Sequence, residues 1–197
     1  MSKVILLDNG HGEETPGKRS PDGKFREYAY TRKIAKKVQE RLKAEGYDCR
    51  LVTPEENDIK LTERCKRVNK ICAAEGAGNV VLVSIHNDAA PQKHADGWEN
   101  ARGWSAWAYT SASESSHRLA DCLMQAAKAE GLKIRLQYVD KSYWTANYYI
   151  LRHTACPAIL TENLFQNNRD DVEFLTSEKG IEAIVNLHVN GIKKFIA

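Results

Sequence analysis

The chain of 197 residues is short of the features that mark special environments. No apolar stretch approaches the roughly 20 residues needed to span a membrane. After Lys3 the apolar run is brief, and no small-residue cleavage site follows, so no signal peptide is expected. There is no internal repeat, no low-complexity tract and no linker. The five cysteines are odd in number and form no C-x-x-C pair. They sit among apolar neighbours, as reduced core thiols do, which argues against a disulfide framework and against a thiolate zinc site. H-E-x-x-H, which would put two metal ligands on one helix turn, is absent. Charge of one sign is also missing. With 29 basic and 26 acidic residues the net charge is +3, and the basic residues are scattered, so no nucleic-acid partner is expected.

What is present is an ordinary globular composition, 42% hydrophobic and 28% charged. The length suits one domain, residues 1–197, and leaves no room for a second of normal size; a monomer is the default expectation. Strand and helix patterns alternate. Lys3–Leu7 reads as a buried strand running into a tight turn at Asp8-Asn9-Gly10-His11-Gly12. A helix is predicted over Glu27–Glu45, a strand over Tyr47–Thr53 and a helix over Leu61–Glu75. Asn79–His86 is almost continuously apolar, as a strand covered on both faces must be. Gly97–Thr110 reads as strand, and Ser111 with Glu114 as a capping box before a helix reaching Glu130. Tyr148–Leu151 and Ala158–Thr161 read as short strands, and Ser177–Ile196 as the last helix. The fold class implied is α/β: a single domain with a mostly parallel or mixed twisted sheet flanked by helices on both faces.

In such sheets chemistry gathers at the carboxyl ends of the strands. His11 lies just past the first strand, His86 closes NVVLVSIH, and Glu162 closes PAILTE. Glu27 opens the first helix, one loop away. Two histidines and a carboxylate form a common catalytic zinc set, with a position left open for water. A further carboxylate off the metal then moves the proton, and Glu162 fits that part. On the residues alone, a single histidine at a strand end is more often structural than a metal ligand.

Ordered motifs add to this. Asp8-Asn9-Gly10-His11-Gly12, Glu27, Leu61-Thr62-Glu63-Arg64 with Asn69, Ser84-Ile85-His86-Asn87-Asp88-Ala89, and Leu151-Arg152-His153-Thr154-Ala155-Cys156-Pro157-Ala158-Ile159-Leu160-Thr161-Glu162 follow one another along the chain. Together they resemble the zinc-dependent N-acetylmuramoyl-L-alanine amidases of the amidase-3 family, over essentially the whole length. The resemblance implies Zn2+ held by His11, Glu27 and His86, with Glu162 as general base and then acid. It implies bacterial peptidoglycan as partner, cut at the amide between N-acetylmuramic acid and L-alanine. A phage or prophage endolysin, made in the cytoplasm and acting on the wall after release or export, fits the expected lack of a leader. Two departures stand out: Leu164 occupies the place of the family's glycine in Glu-x-Gly-Phe, and Asp88 that of a frequent asparagine.

Arg152 and Asn87 are the candidate substrate contacts. Arg152 reads equally well as one half of a structural ion pair. His188, on the apolar face of the last helix, reads as a core residue. Trp104 and Trp107 are three apart and cannot share a face of a regular strand. Asp8 reads as an orienting residue rather than a reacting one. Two rival functions remain open at this point: zinc hydrolysis of another peptide or amide, and a catalytically idle wall-binding module.

Overall fold

The computed structural model describes residues 3–197. Its centre is a six-stranded mixed sheet in the order β2-β1-β3-β6-β4-β5. The strands are β1 (Val4–Asn9), β2 (Cys49–Leu51), β3 (Val80–Asp88), β4 (Ser105–Ala108), β5 (Trp144–Thr145) and β6 (Ala158–Phe165). The run β2-β1-β3-β6 is parallel; β4 lies antiparallel to β6 and carries β5 at the edge.

Side-chain alternation divides the core in two. Ile5, Leu7, Val81, Val83 and Ile85 face one side, where they meet α1 (Glu27–Ala44), α3 (Glu114–Ala129) and α6 (Glu178–Ile196). Val4, Leu6, Val80 and Leu82 face the other, against α2 (Leu61–Glu75) and the single turn α4 (Tyr149–Arg152). A strand apolar on both faces is the reason NVVLVSIH lacks alternation. With helices on both faces, the carboxyl ends of the parallel strands are where a binding crevice forms. All five cysteines are buried and free.

The structure differs from the sequence expectations at several places. β1 runs on through Asp8 and Asn9, which pair in register with Ser84 and Ile85, so the turn begins at Gly10. β2 is only three residues long. Tyr148–Leu151 is not a strand. Arg152 and His153 donate backbone bonds to the Tyr148 and Tyr149 carbonyls, and the consecutive Ile150 and Leu151 are both buried, which a helical turn allows. Of Gly97–Thr110 only the last part is strand. The cap of α3 is Ser113, which accepts from the Ser116 N–H, rather than Ser111. A helix α5 (Arg169–Thr176) was not foreseen; Asn168 caps it by accepting from the Asp171 N–H. Trp104 and Trp107 do fall on opposite faces: Trp104 is fully buried in the first core, and Trp107 packs on the second. No described helix is long and apolar enough to cross a membrane.

Candidate metal centre

Three side chains meet where β1 and β3 end and α1 begins. Past Asn9 the chain turns through Gly10 to His11, which takes φ 62°, the left-handed region that non-glycine residues seldom enter. The glycine is required: a Cβ on Gly10 would stand 2.4 Å from the His86 ring. Glu27 is the first residue of α1, and its N–H donates to the Lys18 carbonyl at 3.0 Å. A carboxylate there also faces the positive end of the helix dipole.

Glu27 is fully buried. Its Oε1 lies 3.3 Å from His11 Nε2 and 3.3 Å from His86 Nδ1, and it accepts the Asn87 N–H at 3.0 Å. Its Oε2 accepts from Gln166 Nε2 at 3.0 Å. Burial alone would raise this carboxyl; the bonds from His11 and His86 outweigh it and hold the group well below the usual carboxylate range. Burial lowers the His11 imidazole, and Glu27 only partly offsets that. The two rings stand nearly perpendicular, 5.0 Å apart.

A relay sets the direction of His86. Ser84 Oγ donates to Asp8 Oδ2 at 2.6 Å and lies 3.2 Å from His86 Nε2. With its proton committed to Asp8, the hydroxyl can only accept from Nε2–H, which leaves Nδ1 for the site. Asp8 is held in turn by the buried Arg64 at 2.9 Å. Arg64 also donates to the carbonyls of Asn9 at 2.6 Å, His11 at 3.2 Å and Ile59 at 2.7 Å. Asn69 clamps the segment leading into β6, donating to the His153 carbonyl and accepting from the Ala155 N–H.

Glu162 stands opposite His86 in the β3–β6 register. Its Oε2 is buried without a hydrogen-bond partner, and its side chain lines the cleft above the histidines. Burial, with Asp88 and Glu27 adding to it, pushes this carboxyl well above the usual range, against the pull of Lys18 and Arg135. The cleft is about 320 Å³ and is also lined by Lys18, Leu61, Tyr148 and Tyr149. Burial chiefly raises the Tyr148 hydroxyl, to about 12, so it remains a donor at the cleft wall.

Just past Glu162, β6 needs three residues where β3 needs two: His86 pairs with Glu162, but Asp88 pairs with Phe165. Leu164 takes up the excess at φ 64°. The backbone thus adopts here the left-handed turn that a glycine would take freely. Asn163, beside it, donates to the His86 carbonyl at 2.9 Å and accepts from Trp104 Nε1 at 3.0 Å. Asp88 is paired with Arg135 at 2.5 Å, and that guanidinium lies over the Trp144 and Phe165 rings.

The structure therefore brings His11, Glu27, His86 and Glu162 together. The two candidate substrate contacts fare differently. Asn87 is buried but lines the cleft; its amide nitrogen donates to the Asn163 carbonyl, and its Oδ1 has no partner. Arg152 lies outside the cleft. Tyr149 and Ile150 face the cleft from α4, while Arg152 lines a separate cavity with Ser113 and Thr154. Ser84, Gln166 and Arg135 were missed by sequence reasoning. Of these, only Ser84, two residues before His86 on the same strand face, carried a signal.

The donor set suits a metal ion. His11, Glu27 and His86 each offer one ligand atom, all within 4.8 Å of one another. Two imidazoles and a carboxylate are a catalytic zinc complement with an open position.

The profile of the N-acetylmuramoyl-L-alanine amidase family matches residues 5–194. The endolysin of Bacillus phage SPP1 is 28% identical over 198 residues, covering 100% of this chain and 67% of that protein. N-acetylmuramoyl-L-alanine amidase CwlM of Bacillus licheniformis is 29% identical over 96% of this chain and 67% of its own length. The probable cell wall amidase LytH of Staphylococcus aureus is 27% identical over 100% of this chain, which spans 60% of it. Among solved structures, an N-acetylmuramoyl-L-alanine amidase from Clostridium difficile 630 superposes with TM-score 0.80 at 22% identity, covering 98% of this chain and 96% of that one. The apo form of Ami1 from Mycobacterium abscessus gives 0.81 at 18% identity, covering 100% of each. These likenesses show that the fold is shared.

Proposed function

The chain belongs to the N-acetylmuramoyl-L-alanine amidase family, and on that footing we propose that it is a zinc-dependent peptidoglycan amidase cutting between N-acetylmuramic acid and L-alanine. His11, Glu27 and His86 would hold the metal. Zinc bound there would supply Lewis acidity, making water a nucleophile near neutral pH and polarising the carbonyl of the amide. Glu162 takes the water's proton at Oε2 as the C–O bond forms, then hands it to the nitrogen as the C–N bond breaks. The products are the lactyl carboxylate and a peptide with a free L-alanine amine. The Tyr148 hydroxyl stands ready to donate to a substrate carbonyl. Arg152, outside the cleft, has no part in this reading.

The observation that carries the proposal is the convergence of three ligand atoms beside a carboxylate whose inner oxygen has no partner. The relay through Ser84 supports it by turning the His86 lone pair inward. The endolysin and cell-wall amidases among the relatives support the wall as partner and a lytic or remodelling role, including that of a phage lysin. The left-handed backbone at Leu164, which keeps a glycine-type turn beside Glu162, supports the wall amide over another amide. The protein acts as a monomeric catalytic domain in this reading.

The test is metal analysis paired with turnover. Purified protein should carry one zinc per chain, and Glu162→Gln should retain that zinc while losing activity on purified sacculi. Loss of zinc in Glu162→Gln, or full activity in the presence of a strong chelator, would contradict the assigned roles.

A further inference from the structure

Among the described residues, Lys18 is the only lysine or arginine lining the cleft. Its backbone is fixed there. Its carbonyl accepts the N–H of Glu27 at 3.0 Å, and the next residue, Arg19, forms an antiparallel bridge with Arg26. Ser20 donates to the Phe25 carbonyl at 2.9 Å, and Phe25 is itself buried against Tyr30. The backbone at Lys18 is therefore fixed beside the cleft that His11, Glu27 and Glu162 also line, and its side chain is half-buried.

Neighbouring cations are committed. Arg135 pairs with Asp88, Arg64 with Asp8, Arg32 with the Glu55 carbonyl and Arg26 with the Glu13 carbonyl. The Lys18 ammonium has neither an ion pair nor a hydrogen bond among the described residues. Glu27 already accepts from the Asn87 N–H and from Gln166 and lies against both His11 and His86. Asp88 is already neutralised by Arg135. Lys18 is thus left as an unpartnered positive charge on the cleft wall, and an anion to meet it comes with the substrate.

The chemistry of hydrolysis says which part of the substrate lies nearby. Glu162 must reach the leaving nitrogen, so the stem peptide departs over Glu162, and Lys18 lines the same cleft as Glu162 and His11. The residue after L-alanine in a stem peptide is a D-glutamate linked through its side chain. Its α-carboxylate is either free or capped as an amide. That group lies one residue, about 3.8 Å of Cα spacing, beyond the alanine.

We propose that Lys18 binds the free α-carboxylate of the second stem-peptide residue, so that the protein prefers D-glutamate walls over walls amidated to D-isoglutamine. The inference rests on the amidase reading. An ammonium donates to a carboxylate as a charge-assisted bond but to a primary amide only as a neutral one, which is weaker.

The experiment compares N-acetylmuramyl-L-alanyl-D-glutamate with its D-isoglutamine counterpart, alongside whole sacculi. The wild type should show a kcat/KM ratio of about ten in favour of the acid, equivalent to about 1.4 kcal/mol. Lys18→Gln should bring the ratio to about one, and Lys18→Arg should restore it. Calorimetry should find the product L-alanyl-D-glutamate binding about tenfold more tightly than its amide, with the difference lost in Lys18→Gln. A ratio near one in the wild type, or a preference that survives Lys18→Gln, overturns the role of Lys18 and leaves the amidase reading standing. Failure to release L-alanine amino termini from either compound or from sacculi overturns the amidase reading, and this inference with it.

Discussion

Leu164 gives the sharpest test of how this chain keeps the turn beside Glu162. The residue is held at φ 64° and is 5% exposed. A left-handed conformation costs a side-chain-bearing residue about 1–2 kcal/mol, a cost glycine does not carry. Truncating a buried leucine to alanine costs about 2–5 kcal/mol. Leu164→Ala loses the packing and keeps the strain, so it should destabilise by the full amount. Leu164→Gly loses slightly more side chain but sheds the strain. It should therefore be about 1 kcal/mol more stable than the alanine variant, while staying about 1–4 kcal/mol below wild type. Urea unfolding followed by circular dichroism measures both differences. A glycine variant no more stable than the alanine variant would refute the strained turn. A glycine variant more stable than wild type would refute the claim that packing of Leu164 outweighs its backbone cost.

Other perturbations follow from the same contacts. Arg64→Ala leaves Asp8 buried without its partner and should cost about 3–5 kcal/mol in chemical denaturation, against a near-neutral effect if the pair were solvated. Ser84→Ala removes the group that fixes the His86 tautomer and should weaken zinc about 10–100-fold in a chelator competition; unchanged affinity would show that the relay does not orient the ring. His188 is fully buried, donating to the Ile184 carbonyl and accepting from Thr161, and burial lowers its pKa from 6.5 to about 4. The unfolded chain binds more protons between those values, so this contribution is complete above about pH 6.5. It falls away as the pH drops to about 4, a loss of about 3 kcal/mol. His188→Asn should flatten that part of the stability profile, and a slope unchanged by the substitution would contradict the assignment.

Much of the arrangement was legible because it depends on local pattern. Continuous apolar strands announce a sheet covered on both faces, and residues at their carboxyl ends point to one edge; this is how His11, His86 and Glu162 stand out. Glu27 is visible as the first residue of a helix. The supporting groups are different in kind. Arg64 meets Asp8 across 56 positions, and Gln166 meets Glu27 across 139. No local periodicity encodes such pairs, and each becomes apparent only when β1, α2 and the end of β6 are in place. The misread turn at Tyr149–Arg152 has a simpler cause: a short aromatic and aliphatic run satisfies strand and helix alike. Arg152, a candidate substrate contact by sequence, lines a separate cavity rather than the cleft. Asp88 looked like a loose departure from the resemblance, and only its partner Arg135, 47 positions on, accounts for its charge.

The central claim is that these residues cut one particular bond, and end-group analysis of digested sacculi tests it most directly. New L-alanine amino termini should appear in step with loss of turbidity, with no new reducing sugars and no other amino-terminal residue. Reducing ends, or amino termini from within the stem peptide, would mean that the cleft serves a different bond.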